Sequence, residues 1–332
     1  MDLEDPDIVE HASALFAHVD KARSAVAAIP ALPVSSAYVA IPAAPFDAVH
    51  GALSRISGTV LLKPPSAGSS LHVHSPHCDH NVHAAGLYEA LRATPPQRIN
   101  LAALGDACDV FMLLKYALSL VPQLMQLDLS CNETRGVAAH AVVEALPLLP
   151  QLSMLDVSRS NLSDEDASLV ANALRHAPKL ATLNTSFNFL RKEGARVFAD
   201  ALQHIPLLTR LDLSANSLRE EGVQFLAAAL NNVPHLTELN LSANSMRKVG
   251  ASALAKALRF LPMLTTLSLS HNFVCNEGAL ALAEALHHIQ RLTSLDLSYN
   301  ELYDEGAVAV SLKLFQLPAL EALHLNTMRS VM

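Results

Sequence analysis

A leucine returns every 28 residues across most of this chain, at Leu124, Leu152, Leu180, Leu208, Leu236, Leu264, Leu292 and Leu320. A period of that length holds one short strand and one short helix, and such a unit cannot bury its apolar face alone. The copies must stack, each covering the next, so the chain grows as a one-dimensional array. The segments LTRLDLSANSLREEGVQFLAAALNNVP (208–234) and LTELNLSANSMRKVGASALAKALRFLP (236–262) spell out two consecutive units.

Within a unit the pattern is L-x-x-L-x-L-x-x-N-x-L, as in Leu208, Leu211, Leu213, Asn216 and Leu218. The L-x-L portion alternates and predicts a strand with its leucines inward and the residues between them in solvent. An asparagine follows where the chain must turn off the strand. Its amide can bond backbone groups of its own turn and of the next, which a leucine could not do. This predicts a ladder of Asn132, Asn188, Asn216, Asn244, Asn272 and Asn300, with Ser160 substituting once. Helical spacing comes next: Val223, Leu226, Ala227 and Leu230 fall on one face. Glu220 and Glu221 sit near the helix start, where the dipole favours acids. A proline then recurs at the same interval, from Pro122 to Pro262 and again at Pro318, and blocks continuation of the helix. Ala199, Ala255 and Ala283 occupy equivalent helix positions and are small enough for close packing.

These residues resemble the leucine-rich repeat family, in particular its ribonuclease-inhibitor-like subclass. The mark is N-x-L-x-x-E-G-A entering a true helix, present here as NSLREEGV (216–223), NFVCNEGA (272–279) and NELYDEGA (300–307). The resemblance covers Leu124 to Leu325 and keeps register further back, through Ile99 and Leu101, then Leu71 and Val73. It implies an α/β solenoid, a curved horseshoe arc with a parallel β-sheet on the concave face and α-helices on the convex face. The expected layout is an array over 67–332 of about ten strands. Its first two units are degenerate, with Leu104 and Pro76 at the ladder position, and the last is truncated, with Met328 where asparagine is expected. Residues 1–66 do not fit the repeat and read as an N-terminal capping or flanking region of helix plus short strands; a separate binding domain is the competing reading.

Composition narrows the function. The chain has 332 residues, a net charge of −8 and a pI near 6.0, which argues against nucleic acid as the main ligand, because phosphate binding needs a basic face. Cys78, Cys108, Cys131 and Cys275 are scattered and form no CxxC pair, which fits a reducing compartment. The acidic start MDLEDPDIVE is unlike a secretory signal, and no uninterrupted apolar run is long enough for a bilayer. These features lead to the expectation of a cytoplasmic protein, with association with the cytoskeleton as one option and with neither a nucleic-acid nor a membrane partner.

The outward strand positions form a polar, net acidic wall. Its central row runs His72, Asn100, Asp128, Asp156, Asn184, Asp212, Asn240, Ser268, Asp296 and His324. The row before it holds Arg210 and Glu238, the row after is nearly all serine, and the next holds Arg159, Phe187, His271 and Tyr299. The expected partner-binding set is therefore Asp128, Asp156, Phe187, Arg210, Asp212, Glu238, His271, Asp296 and Tyr299, suited to a protein with a basic or polar surface. Against this stands the plainer reading that Asp and Asn merely keep the wall soluble. Asp128 and Asp156 should lie on adjacent strands, where like charges cost stability.

A second candidate is LHVHSPHCDHNVHAAG (71–86), where His72, His74, His77 and His80 are ligand types that suit zinc. No known metal spacing is reproduced, and solvated loop histidines explain the same residues. GxxxxGK[ST], GxSxG and HExxH are absent, so neither an enzyme nor a cofactor is expected. The leading expectation is a non-catalytic scaffold that binds a partner protein. The alternatives are a small-GTPase regulator resembling Ran GTPase-activating proteins, acting through a rim arginine such as Arg159, Arg191 or Arg219, and a structural subunit of a cytoskeletal or axonemal assembly. The latter would dock another chain at the C-terminal strand edge, which LHLNTMRSVM leaves without a following helix.

Overall fold

The computed structural model describes residues 70–72, 97–101, 118–132 and 136–326. The chain separates into two units, Met1–Ile41 and Pro42–Met332, and every described residue belongs to the second. The capping region expected over 1–66 lies outside the described residues.

Ten short parallel strands form a single sheet in strict chain order. They are β1 (Ser70–His72), β2 (Arg98–Asn100), β3 (Gln126–Asp128), β4 (Met154–Asp156) and β5 (Thr182–Asn184). β6 (Arg210–Asp212), β7 (Glu238–Asn240), β8 (Thr266–Ser268), β9 (Ser294–Asp296) and β10 (Ala322–His324) complete the sheet. Register never slips: Leu155 pairs with Leu183, Leu183 with Leu211 and Leu211 with Leu239. One turn of the array is therefore one 28-residue unit, and the two degenerate N-terminal units supply β1 and β2 in the same register.

Seven helices back the sheet among the described residues. They are α1 (Val137–Ala145), α2 (Asp164–Ala173), α3 (Arg191–Ala201) and α4 (Arg219–Ala229), then α5 (Arg247–Ala257), α6 (Cys275–Ala285) and α7 (Asp304–Lys313). From α2 to α7 each helix ends in a 3-10 turn that delivers the chain to the next strand, as at Leu202–His204 before Pro206. The fold is an α/β leucine-rich-repeat solenoid with strands on one face and helices on the other.

One continuous core lies between the two faces. The inward strand leucines from Leu127 to Leu295, the ladder-adjacent Leu218 and Leu190, and the helix residues Val223, Leu226, Ala227 and Leu230 are buried, and Leu323 in β10 is partly buried. The equivalent alanines Ala199, Ala255 and Ala283 are also buried. The E-G-A glycine sets the helix spacing. A Cβ on Gly278 would lie 2.8 Å from Val274 Cγ1 and 2.9 Å from Ala251 Cβ, so α5 and α6 approach too closely for a side chain there.

The asparagine ladder holds the turns together. Asn244 Nδ2 donates to Leu241 O within its own turn (3.1 Å) and to Leu213 O one rung back (2.9 Å). Its Oδ1 accepts from the backbone N–H groups of Asn216 (3.0 Å) and Leu218 (3.3 Å). Asn272 and Asn300 repeat this pattern, and Asn188 matches it across the serine rung through Ser160 and Leu162. Asn132 and Asn216 make the same amide donations to two turns. All six are buried.

Candidate protein-interaction surface

Each strand is only three residues long, so its last residue, which faces outward, stands at the point where the chain leaves the sheet. That position prefers Asp or Asn for a local reason. The side-chain Oδ1 of Asp128, Asp156, Asp212 and Asp296 accepts the N–H of the serine two residues on, at 2.9 Å in each case. Asn184 and Asn240 do the same with Ser186 and Ser242. This is an Asx turn, which closes the strand exit with a side chain. The second oxygen of three of the aspartates bonds across the sheet: Asn100, Asn184 and Asn240 donate to Asp128, Asp156 and Asp212 at 2.7, 2.8 and 3.0 Å. Much of the acidic row is thus built into the scaffold.

Asp128 and Asp156 are direct neighbours in the β3–β4 register, as the 28-residue offset implied. Burial pushes the Asp156 carboxyl above its ordinary range, the Asp128 charge adds to this, and the bonds from Ser158 and Asn184 oppose it. In the preceding row, Arg210 Nε meets Glu238 Oε1 at 2.8 Å between β6 and β7. These two residues neutralise each other; Arg210 is exposed and Glu238 is partly exposed.

The serine row departs from the sequence expectation of a solvent-facing position. Ser158, Ser186, Ser214 and Ser298 are buried. The reason is a backbone reversal in the next residue, which is left-handed in each unit: Cys131, Arg159, Phe187, Ala215, Ala243, His271 and Tyr299 have φ between 53° and 58°. That conformation breaks the strand alternation and swings this row outward at the rim of the strand face.

The large members of the row pair up. The Arg159 guanidinium sits 4.2 Å over the Phe187 ring, a cation–π contact. His271 and Tyr299 stack with ring centroids 4.3 Å apart and planes 17° apart. Between the two pairs stand Ala215 and Ala243. At about 4.8 Å per rung, Phe187 and His271 are about 14 Å apart, so the row forms a notch with an alanine floor and aromatic walls. Phe187, Arg159 and His271 are half-buried and Tyr299 is exposed. The sequence identified the walls but not the two alanines, which carry no chemistry of their own. Their signal was smallness between the large side chains of Arg159 and Phe187 on one side and of His271 and Tyr299 on the other.

The remaining expected sites separate by location. His74, His77 and His80 lie outside the described residues, and of His72 only the backbone, in β1, is described. At the other end, β10 pairs with β9 on one side. Beside it, α7 and its following turn expose Tyr303, Val308, Leu312 and Phe315, the last at 80%. The thiols of Cys131 and Cys275 are both pushed up in pKa, chiefly by burial, and stay protonated at neutral pH. No described helix is long and apolar enough to cross a membrane.

Comparison with known proteins agrees with the repeat. A family model described as leucine-rich repeat matches residues 204–227, 234–255, 260–283 and 288–311. No curated protein matches the chain. Among solved structures, the leiomodin-1 actin-binding site 2 shares 18% identity over 47% of this chain and 90% of its own, with a TM-score of 0.40. An internalin (inlF) from Listeria monocytogenes shares 17% identity over 77% of this chain and 80% of its own, with a TM-score of 0.43. At that similarity neither bears on function.

Proposed function

We propose that this leucine-rich repeat protein is a non-catalytic scaffold that receives a partner protein on its strand face. One observation carries the reading: the rim notch, where Arg159–Phe187 and His271–Tyr299 bracket Ala215 and Ala243. Core and turn demands explain the leucine, asparagine and aspartate rows. They do not explain why two alanines in one outward row should stand between the Arg159–Phe187 and His271–Tyr299 pairs. Exposed aromatic and arginine side chains beside a recess are the usual anchors of protein interfaces.

Around the notch, carboxylates outnumber guanidinium groups on the strand face, which favours a partner with a basic or polar surface. Asp128, Asp156, Asp212 and Asp296 act there mainly through their field, because their oxygens are held by Asx turns. Phe187, His271 and Tyr299 supply apolar contact, and Arg210 with Glu238 forms a polar rim. The helical 28-residue unit supports placing the repeat in the ribonuclease-inhibitor-like subclass. A second contact is favoured by the apolar α7 edge with Phe315 and Leu312, where another chain in a larger assembly would dock. GTPase regulation draws less support: Arg159 is committed to Phe187, and Arg191 and Arg219 are left-handed residues at helix starts.

The test is affinity purification with quantitative mass spectrometry, comparing the wild type with a Phe187→Ala, Ala243→Arg, Tyr299→Ala variant. Ala243→Arg fits the backbone, since Arg159 holds the same conformation at the equivalent position. The expected result is loss of one or more specific partners with the fold retained. An unchanged set of partners would reject the strand-face reading.

A further inference from the structure

The helical side drops a recurring acid at two places, in α1, which begins at Val137 with no acid in its first turn, and in α5. Glu165, Glu193, Glu221, Glu277 and Glu305 hold the acidic position near the starts of α2, α3, α4, α6 and α7, whereas α5 has Val249 there and no acid in its first turn. On the outward face of α5, Ser252 and Ala253 stand where α4 has Gln224 and Phe225 and α6 has Leu280 and Ala281. Loss of the acid and of side-chain bulk coincide at an open groove of about 650 Å³.

The groove runs between α4 and α5. Ala227, Ala228, Ala253 and Ala257 line it together with Val249 and Phe260, which are 39% and 37% exposed. Its charged residues are Lys248, Lys256, Arg259 and, from α6, Glu277. Lys248 is taken by Glu277 at 3.1 Å. Arg259 lies 4.8 Å over the Phe260 ring, and neither it nor Lys256 forms an ion pair with a described residue. On a chain of net charge −8, an apolar groove flanked by two unneutralised cations is a local reversal of sign.

We propose that this groove docks a short acidic segment of a partner protein, which seats an apolar side chain against Val249 and Phe260 and sets carboxylates against Lys256 and Arg259. Charge complementarity fixes the sign of the occupant, and the exposed apolar surface requires it to bring apolar groups as well. A nucleic-acid backbone meets the first demand but not the second. The site is on the opposite side from the strand-face notch and does not depend on it.

Selection of a random twelve-residue peptide display library on the purified full-length chain tests the assignment. Acidic peptides with a central apolar residue should enrich. Their affinity should fall about tenfold or more with Lys256→Glu plus Arg259→Glu, both exposed changes. Ala253→Phe should weaken them similarly by filling the groove with the side chain that α4 already carries as Phe225. Phe187→Ala should leave them unaffected. Enrichment without acidic bias, equal binding to the charge-reversed variant, or displacement of the peptides by single-stranded RNA at matched concentration would overturn the proposal.

Discussion

Replacing Asn244 with alanine should remove a whole rung of the ladder at a calculable cost. Its Nδ2 donates to Leu213 O and Leu241 O, but those carbonyls keep a second amide donor, Asn216 at 3.0 Å and Asn272 at 2.8 Å. The loss therefore falls on the acceptor side. Asn216 N and Leu218 N both point at Asn244 Oδ1 in a fully buried turn. Each buried N–H left without a partner costs about 1–3 kcal/mol, so the substitution should cost about 2–6 kcal/mol. Urea unfolding followed by far-ultraviolet circular dichroism gives the total. Hydrogen exchange locates it, with protection lost first at Asn216 and Leu218, the rung before the mutated one. An Asn244→Ala protein as stable as wild type, or one whose exchange rises only in its own turn, would refute the ladder as the link between units.

Thr185 occupies an inward position that other units give to Leu or Val, is fully buried, and its hydroxyl has no partner. Thr185→Val should therefore raise the urea midpoint, by about 1 kcal/mol of stability. Gly278→Ala should cost about 1–3 kcal/mol by forcing α5 and α6 apart, measured in the same experiment. Asp156 should give a pH signature. Because its native pKa is raised, the folded chain holds the proton more tightly than the unfolded one. Its contribution to stability is complete below the unfolded carboxylate range, about 3.9, and is lost as pH climbs through the raised native value. The stability of Asp156→Asn relative to wild type should accordingly improve from acidic to neutral pH, and a flat difference would contradict the burial argument. Cys131 and Cys275, held in the thiol form, should alkylate more slowly in the native than in the urea-unfolded protein, as peptide mapping would show.

The fold was readable because the 28-residue period forces register. Once Leu211 and Leu239 are equivalent, their pairing follows, and so do the buried helix stripe and the asparagine ladder. Strand alternation, extended one residue too far, misplaced the serine row. The sequence does not announce the left-handed residue that follows it, because Arg, Phe, His, Tyr and Cys all occupy that position and none is glycine. Phe187, His271 and Tyr299 of the expected binding set stand in one row, and the 28-residue offset stacks His271 on Tyr299. It could not show that the aspartates are half consumed by Asx turns, nor that Arg210 and Glu238 neutralise each other. Those facts depend on side-chain geometry at the strand exit. The α4–α5 groove was visible only as a broken column at Val249, a departure that gains meaning once the helices are placed side by side.

Site-specific photo-crosslinking in cells probes the strand-face claim most directly. A benzophenone side chain would be introduced in turn at Ala243, at Tyr299 and, on the helical side, at Arg196. The account predicts that one and the same partner is captured from Ala243 and Tyr299 and is not captured from Arg196. Capture from Arg196 alone, or different proteins from the two notch positions, would contradict it.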